Sequence, residues 1–406
     1  PDRDDVLYEG LGLQFGGPSD AAFITCSGPV DDDVETPEDY RADLQIAATR
    51  GLTMICANPD RVVHRGDKLV YCGGALADLY EPAGFDFLLM AEHHFTGYAM
   101  SPVPFDFLSY MAGRTSRIKL GPGVIIVPWN DPYRAACHLV MLDYLSNGRA
   151  MLGVGRGLSK IEMDNFGVDM SDTRAMFDEG ARKIIEAVTT GIYPGGGRFY
   201  SQQKRFALRP APRSLDWSDR TYCVGMTPPS AIEAGKIGGR LMSFASAPWE
   251  MYKTTHLAPY KAALMEHHGR RAAPIVVGDC VIVHEDEERA REMAETYIGN
   301  YHAIVTAFYD VKGEHLKTAK GYEAYAQAAE HMKGVGNDQA RRGYIDLQLW
   351  GTPRQVIEKL AARRALLDHP FDLCATFGVG DMPLAKTEAC IKLFASKVLP
   401  VIRKWD

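Results

Sequence analysis

The chain has 406 residues, 46% of them hydrophobic and 24% charged, enough apolar material for a large core, which excludes a disordered or fibrous polymer. Lysine plus arginine number 45 against 52 aspartate plus glutamate, a net charge of -7 without a basic tract, so nucleic acid is excluded as a partner. The eight cysteines never stand as C-x-x-C and mostly lie in apolar runs such as Met54-Ile55-Cys56; no run approaches the roughly 18 residues of a membrane helix, and a cytoplasmic protein with reduced thiols and no membrane contact is expected.

Residues 1–50 read as an N-terminal extension packed on the remainder of the chain, with an acidic turn at Asp31-Asp32-Asp33 and a helix over Pro37 to Arg50 opened by Thr36-Pro37-Glu38. From residue 51 onward, short β-branched runs alternate with longer amphipathic stretches, the pattern of βα units on a parallel sheet. The predicted strands are Leu52 to Ala57, Phe85 to Ala91, Ile118 to Val127, Ala150 to Gly153, Thr221 to Gly225, Arg240 to Ala245, Ile275 to Val283 and Asp372 to Phe377. Eight such units point to a (β/α)8 TIM barrel over 51–406. Gly84, Gly191 and Gly269 suit left-handed helix ends, and Thr352-Pro353 suits a helix start. Two insertions are expected: an irregular excursion at 191–217, and a long polar helical stretch at 298–350 of the kind that forms a lid.

Ala91-Glu92-His93-His94-Phe95 closes the second predicted strand, at the end where barrel enzymes gather their functional groups. Strand alternation sends His93 and His94 to opposite faces, a poor arrangement for joint metal ligation, and no metal is expected. Which histidine faces the cavity, and whether either only braces the scaffold, stays open on these residues. Gly153-Val154-Gly155-Arg156-Gly157 is a weak dinucleotide signal, its third glycine one position early. It reads either as a turn that lets backbone approach a ligand, with Arg156 as a forked phosphate donor, or as a structural turn with a solvated arginine. Gly225-Met226-Thr227-Pro228-Pro229-Ser230 offers phosphate-binding groups at a helix start, or a plain N-cap. Gly121-Pro122-Gly123-Val124 suits close contact with a flat ring. Trp129 and Phe95 face either substrate or core. No serine elbow or paired carboxylates support hydrolysis.

Over about residues 52–405 the chain resembles the flavin-dependent luciferase-like monooxygenases. The resemblance rests on Gly84-Phe85-Asp86 leading into Glu92-His93-His94-Phe95-Thr96, on Leu142 to Arg149, on Arg156-Gly157-Leu158 with Phe166 to Met170, on Arg341-Arg342 with Gly351-Thr352-Pro353, and on Lys392-Leu393-Phe394 with Val398-Leu399-Pro400. It implies a barrel that receives reduced FMN (FMNH2) from a separate NAD(P)H:flavin reductase. Through a C4a-peroxyflavin formed with O2, it would hydroxylate, or oxidise by Baeyer-Villiger insertion, a small hydrophobic organic substrate. By the same resemblance His93 is the catalytic base with His94 beside it, Glu162 is an acidic residue near the flavin, and Arg156, Thr227 and Ser230 grip the phosphate. Met226 stands where relatives make a backbone phosphate contact, Gly123-Val124 matches a cis peptide against the flavin ring, and residues 300–342 match a mobile shielding loop. Relatives pair through helices matching about Pro102 to Arg114 and Asp131 to Ser146, which implies a homodimer or higher homo-oligomer. Gly155 in place of a reactive cysteine and Met226 in place of a glutamate argue against light emission from a long-chain aldehyde. The competing expectations are hydride transfer with the deazaflavin F420, and a non-catalytic partner subunit.

Overall fold

The computed structural model describes residues 19–21, 23–26, 46, 53–56, 62–65, 68–71, 83–98, 101–201, 204–311 and 313–405. The chain divides into two units, Pro1–Ala75 and Leu76–Asp406. In the first, β1 (Phe23–Cys26) and β2 (Thr53–Cys56) run parallel with Phe23 opposite Thr53, and β3 (Val62–Arg65) and β4 (Lys68–Tyr71) form an antiparallel pair. The strand expected at Leu52 to Ala57 therefore exists, but its hydrogen-bonded neighbour is Phe23–Cys26 rather than a barrel strand. Apolar alternation identifies a strand and says nothing of its partner. The acidic turn at 31–33 and the helix expected at 37–50, Ile46 aside, lie outside the described residues.

In the second unit the strands are β5 (Phe87–Met90), β6 (Lys119–Pro122), β7 (Ile125–Ile126), β8 (Leu152–Gly155), β9 (Ile192–Tyr193), β10 (Phe206–Ala207), β11 (Thr221–Val224), β12 (Arg240–Phe244), β13 (Ile275–Val283), β14 (Leu349–Gly351) and β15 (Phe371–Thr376). β5 pairs with β6 in parallel, a bridge from Leu120 to Ala150 leads to β8, and the parallel path continues through β11, β12 and β13 to β15. β13 is buried along its whole length, Ile275 to Val283, as a mostly apolar strand covered on both faces of a parallel sheet should be, with Asp279 its one charged residue. β5 and β15 end the path. Among the described residues each is hydrogen-bonded on one side only, and a cavity of about 420 Å³, lined by Phe87, Leu89, Met151, Leu373 and Cys374, is bordered by both. Inside the curved sheet lie Val124, Met151, Tyr222, Met242 and Val276.

Outside it pack the helices, where the expected punctuation is found. Thr352 caps helix Pro353–Leu367 with Gln355 completing a capping box, and Gly191 and Gly269 end their helices in the left-handed conformation. Arg363 of that capped helix forms two hydrogen bonds, of 2.6 and 2.8 Å, with buried Asp279 of β13, which pins the helix to the sheet. The 191–217 excursion contains the antiparallel pair β9 and β10. The 298–350 stretch is helical, as expected, over Gly299–Phe308, His315–Thr318, Glu323–Gly334 and Asn337–Leu347. Its last residues depart from that expectation: Leu349–Gly351 form β14 on the far half of β13, with Val281 opposite Leu349. No helix among the described residues is long and apolar enough to cross a membrane.

Candidate active site

Chain leaving β5 carries two carboxylate-anchored histidines. Glu92 is buried, and its carboxylate accepts hydrogen bonds from the Ile126 backbone N–H at 3.0 Å, Trp129 Nε1 at 2.8 Å and Asn130 Nδ2 at 2.9 Å, with His94 Nε2 at 3.1 Å. It ties the turn after β5 to the turn after β7, and His94 is held in that scaffold with its ring edge-on to Phe166 at 4.8 Å. Trp129, expected to face substrate or core, packs against the core, where its indole N–H serves Glu92 and its ring stacks on Phe166 at 5.2 Å. Phe95 is 54% exposed.

His93 turns the other way. Glu162, 1% exposed on helix Lys160–Phe166, accepts the His94 backbone N–H at 2.7 Å and lies 3.3 Å from His93 Nδ1. A carboxylate can only accept, so the hydrogen of the neutral ring sits on Nδ1 and the lone pair on Nε2 is free to take a proton. Around that ring stand Tyr98 at 4.7 Å, Phe308 at 5.1 Å and Tyr309 at 6.2 Å between centroids. The structure thus joins His93, His94 and Glu162, and separates the histidines by environment: scaffold for one, an aromatic wall of Tyr98 and the 298–350 insertion for the other. That wall was not foreseen residue by residue. The aromatic-rich run Tyr297, Tyr301, Phe308, Tyr309 was its signal in the sequence.

Past β8, Arg156 donates through Nη1 to the Gly321 carbonyl at 2.8 Å, and its guanidinium lies 3.9 Å from the centre of the Tyr322 ring. Tyr322 is fully buried, its hydroxyl 3.0 Å from Thr173 Oγ1. Burial pulls the Arg156 pKa down, and Arg174, a neighbour that sequence reasoning missed, adds a like charge. Among the described residues no carboxylate forms an ion pair with Arg156. At the end of β11, the strand beside β8, Thr227 caps helix Pro228–Ile237. Ser230 Oγ accepts the Thr227 N–H at 2.9 Å, and the two hydroxyls are 2.8 Å apart. Since Pro228 and Pro229 carry no N–H, these hydroxyls are the polar groups of that helix end. No hydrogen bond among the described residues joins them to Arg156. Met226 Sδ accepts the Phe244 N–H at 3.4 Å.

The glycines of Gly153-Val154-Gly155-Arg156-Gly157 have a cause other than close approach of a ligand. A Cβ on Gly153 would lie 2.4 Å from the Pro122 carbonyl oxygen, and one on Gly155 would lie 2.5 Å from Val124 Cγ2. The neighbouring segment crowds them, and within it the Gly123–Val124 peptide is cis. Gly155→Ala is therefore expected to cost about 1–3 kcal/mol by overpacking, read as a lowered thermal midpoint. An unchanged midpoint would mean that Val124 moves aside freely.

A family model described as luciferase-like monooxygenase matches residues 73–369. The chain belongs to this family. Over 333 residues it is 22% identical to the alkanal monooxygenase alpha chain of Photorhabdus luminescens, covering 81% of this chain and 90% of that one. Three further curated relatives match at 32 to 38% identity, but the chain spans only 35 to 47% of their length. Among solved structures, the oxygenating constituent of 3,6-diketocamphane monooxygenase of Pseudomonas putida, in complex with FMN, superposes with TM-score 0.64 at 17% identity, over 81% of this chain and 92% of that one. The F420-dependent tetrahydromethanopterin reductase of Methanopyrus kandleri gives TM-score 0.57 at 20% identity, over 80% and 94%. These structural likenesses carry the TIM-barrel-like α/β fold of the family, which FMN and F420 enzymes share.

Proposed function

We propose that the chain is the oxygenase of a two-component system, receiving FMNH2 from a separate NAD(P)H:flavin reductase and using O2 to hydroxylate, or oxidise by Baeyer-Villiger insertion, a small hydrophobic organic molecule. The observation that carries this reading is Arg156, a largely buried guanidinium whose hydrogen-bond and stacking partners are a carbonyl and a ring, both neutral, with Asp178 and Glu323 acting on it only through space. Such a cation has no anion in direct contact, and a phosphate supplies one. Arg156 past β8 and the hydroxyls of Thr227 and Ser230 at the end of the neighbouring β11 would hold the flavin phosphate, and the Gly123–Val124 segment would take the ring. Bound there, reduced flavin supplies the electrons with which O2 becomes an oxygenating agent.

The remaining work falls to the chain itself. His93 takes a proton at Nε2, and Glu162 fixes its tautomer and direction. Glu92 and His94 hold the turn that presents it. Tyr98, Phe308 and Tyr309 exclude water from that side, which protects a reaction whose side product is hydrogen peroxide. On helices Pro104–Arg114 and Pro132–Leu145, Tyr110, Met141, Tyr144 and Leu145 are 42 to 54% exposed, apolar surface that supports pairing of two copies there.

Anaerobic titration with FMNH2 and with F420H2, followed by mixing with O2, tests the reading. Tighter binding of FMNH2 and consumption of O2 are expected. Preference for F420H2 without O2 uptake would make the chain a hydride-transfer enzyme, and binding of neither would make it a partner subunit.

A further inference from the structure

We propose that Ser243 and Tyr252 are positioning residues for the turn 225–230, which they hold in the conformation that presents the Thr227 and Ser230 hydroxyls to the flavin phosphate. This rests on the phosphate assignment above and adds what fixes that site from behind. Gly225, the first residue after β11, has both backbone groups taken by β12. Its N–H donates to the Met242 carbonyl at 2.8 Å, and its carbonyl accepts from Ser243 Oγ at 2.8 Å. Strand alternation puts Ser243 on the same side of β12 as Leu241, and both are buried where that side packs on the helices. A hydroxyl in such an apolar layer is costly unless it is hydrogen-bonded. Here both of its functions are used, because Tyr252 donates to Ser243 Oγ at 3.1 Å. The chain of donors runs one way, from the Tyr252 hydroxyl through the Ser243 hydroxyl to the Gly225 carbonyl. Burial raises the Tyr252 pKa, which keeps the first donor protonated.

Tyr252 is held in its turn by the helix that follows β12. That helix, 249–268, passes through one π turn, Lys253–Leu257, between Trp249–Tyr252 and Ala258–His268, a rare geometry that recurs at functional sites. Within the π turn His256 is buried and stacks on the Tyr252 ring at 5.0 Å and 13°. Burial lowers the His256 pKa, and a hydrogen bond to the Met226 backbone opposes that shift. One helix thus braces both residues that precede Thr227. The turn has no slack in which to absorb a change: a Cβ on Gly225 would lie 2.5 Å from Leu241 Cδ1 and 2.9 Å from Cα of Ala231, in the helix that Thr227 caps. A shift of the Gly225 carbonyl therefore moves the cap. Among the described residues no hydrogen bond joins Ser243 or Tyr252 to Thr227, Ser230 or Arg156, so their effect on a bound phosphate passes through the backbone of the turn.

The test compares anaerobic binding of FMNH2 and of reduced riboflavin, which lacks the phosphate, to the full chain and its variants. Tyr252→Phe keeps the ring and its stacking on His256 and removes the hydroxyl, whereas Ser243→Ala removes the donor to Gly225. On the scale of one net hydrogen bond, Ser243→Ala should bind FMNH2 about three- to tenfold more weakly and Tyr252→Phe about two- to threefold more weakly. Reduced riboflavin should bind both variants as it binds wild type. Because Tyr252 acts through Ser243, the double variant should bind FMNH2 no more weakly than Ser243→Ala alone. Undiminished FMNH2 affinity in the single variants, an equal loss for riboflavin, or losses that multiply in the double variant would each overturn the proposal. If Ser243→Ala does not fold, Tyr252→Phe and the riboflavin comparison decide. Wild type that binds FMNH2 no more tightly than reduced riboflavin would sink the phosphate assignment and this inference together, and a wild-type preference for FMNH2 that every variant keeps in full would sink this inference alone.

Discussion

His93→Ala is expected to slow the oxygenation step by a hundred- to ten-thousand-fold, the span that a positioned general base contributes, while FMNH2 affinity changes little. The split follows from geometry. His93 touches Glu162 and three aromatic rings, and none of the groups assigned to phosphate. Glu162→Gln should give a smaller loss in the same direction. An amide can donate as well as accept, so the Nδ1 hydrogen loses its fixed partner and Nε2 spends part of its time as the protonated nitrogen. Single-turnover oxidation of pre-bound FMNH2, with product formation followed separately from hydrogen peroxide release, reads both variants. An alanine variant that forms product at the wild-type rate would remove His93 from the chemistry.

Arg156→Ala should do the reverse. Truncating one partner of a buried, hydrogen-bonded charge pair costs about 2–5 kcal/mol, so FMNH2 affinity should fall about 30-fold or more, with the rate at flavin saturation largely kept. Riboflavin, which lacks the phosphate, supplies the control: reduced riboflavin should bind wild type and variant alike. Undiminished FMNH2 affinity in the variant would sink the phosphate assignment.

Much of the scaffold was legible because it is local. The strands at Thr221–Val224, Arg240–Phe244 and Ile275–Val283, the cap at Thr352 and the helical insertion all follow from runs and punctuation a few residues long. His93 and His94 meet different carboxylates, but in the turn past Met90, where strand alternation no longer applies, and the cis peptide at Gly123–Val124 followed from family resemblance. What stayed hidden depends on residues far apart in the chain. Tyr98 meets Tyr301 across 203 positions and Arg156 meets Gly321 across 165. The glycines at 153 and 155 suggested a ligand, and their reason proved to be Pro122 and Val124 in the adjoining segment. Thr53–Cys56 was recognisable as a strand and still told nothing of Phe23–Cys26.

The grip of Gly321 and Tyr322 on Arg156 sets a competition. An anion that takes the Nη1 donor now held by the Gly321 carbonyl breaks that bond, so the free energy of the contact is subtracted from the anion's affinity, whereas the other in-plane donors can be taken with the Tyr322 stacking kept. By linkage the anion loosens that contact to the same degree. Occupancy of the basic site and the seating of Gly321 and Tyr322 against Arg156 are then coupled, and a change at Tyr322 reaches ligand affinity without altering a single donor to the ligand.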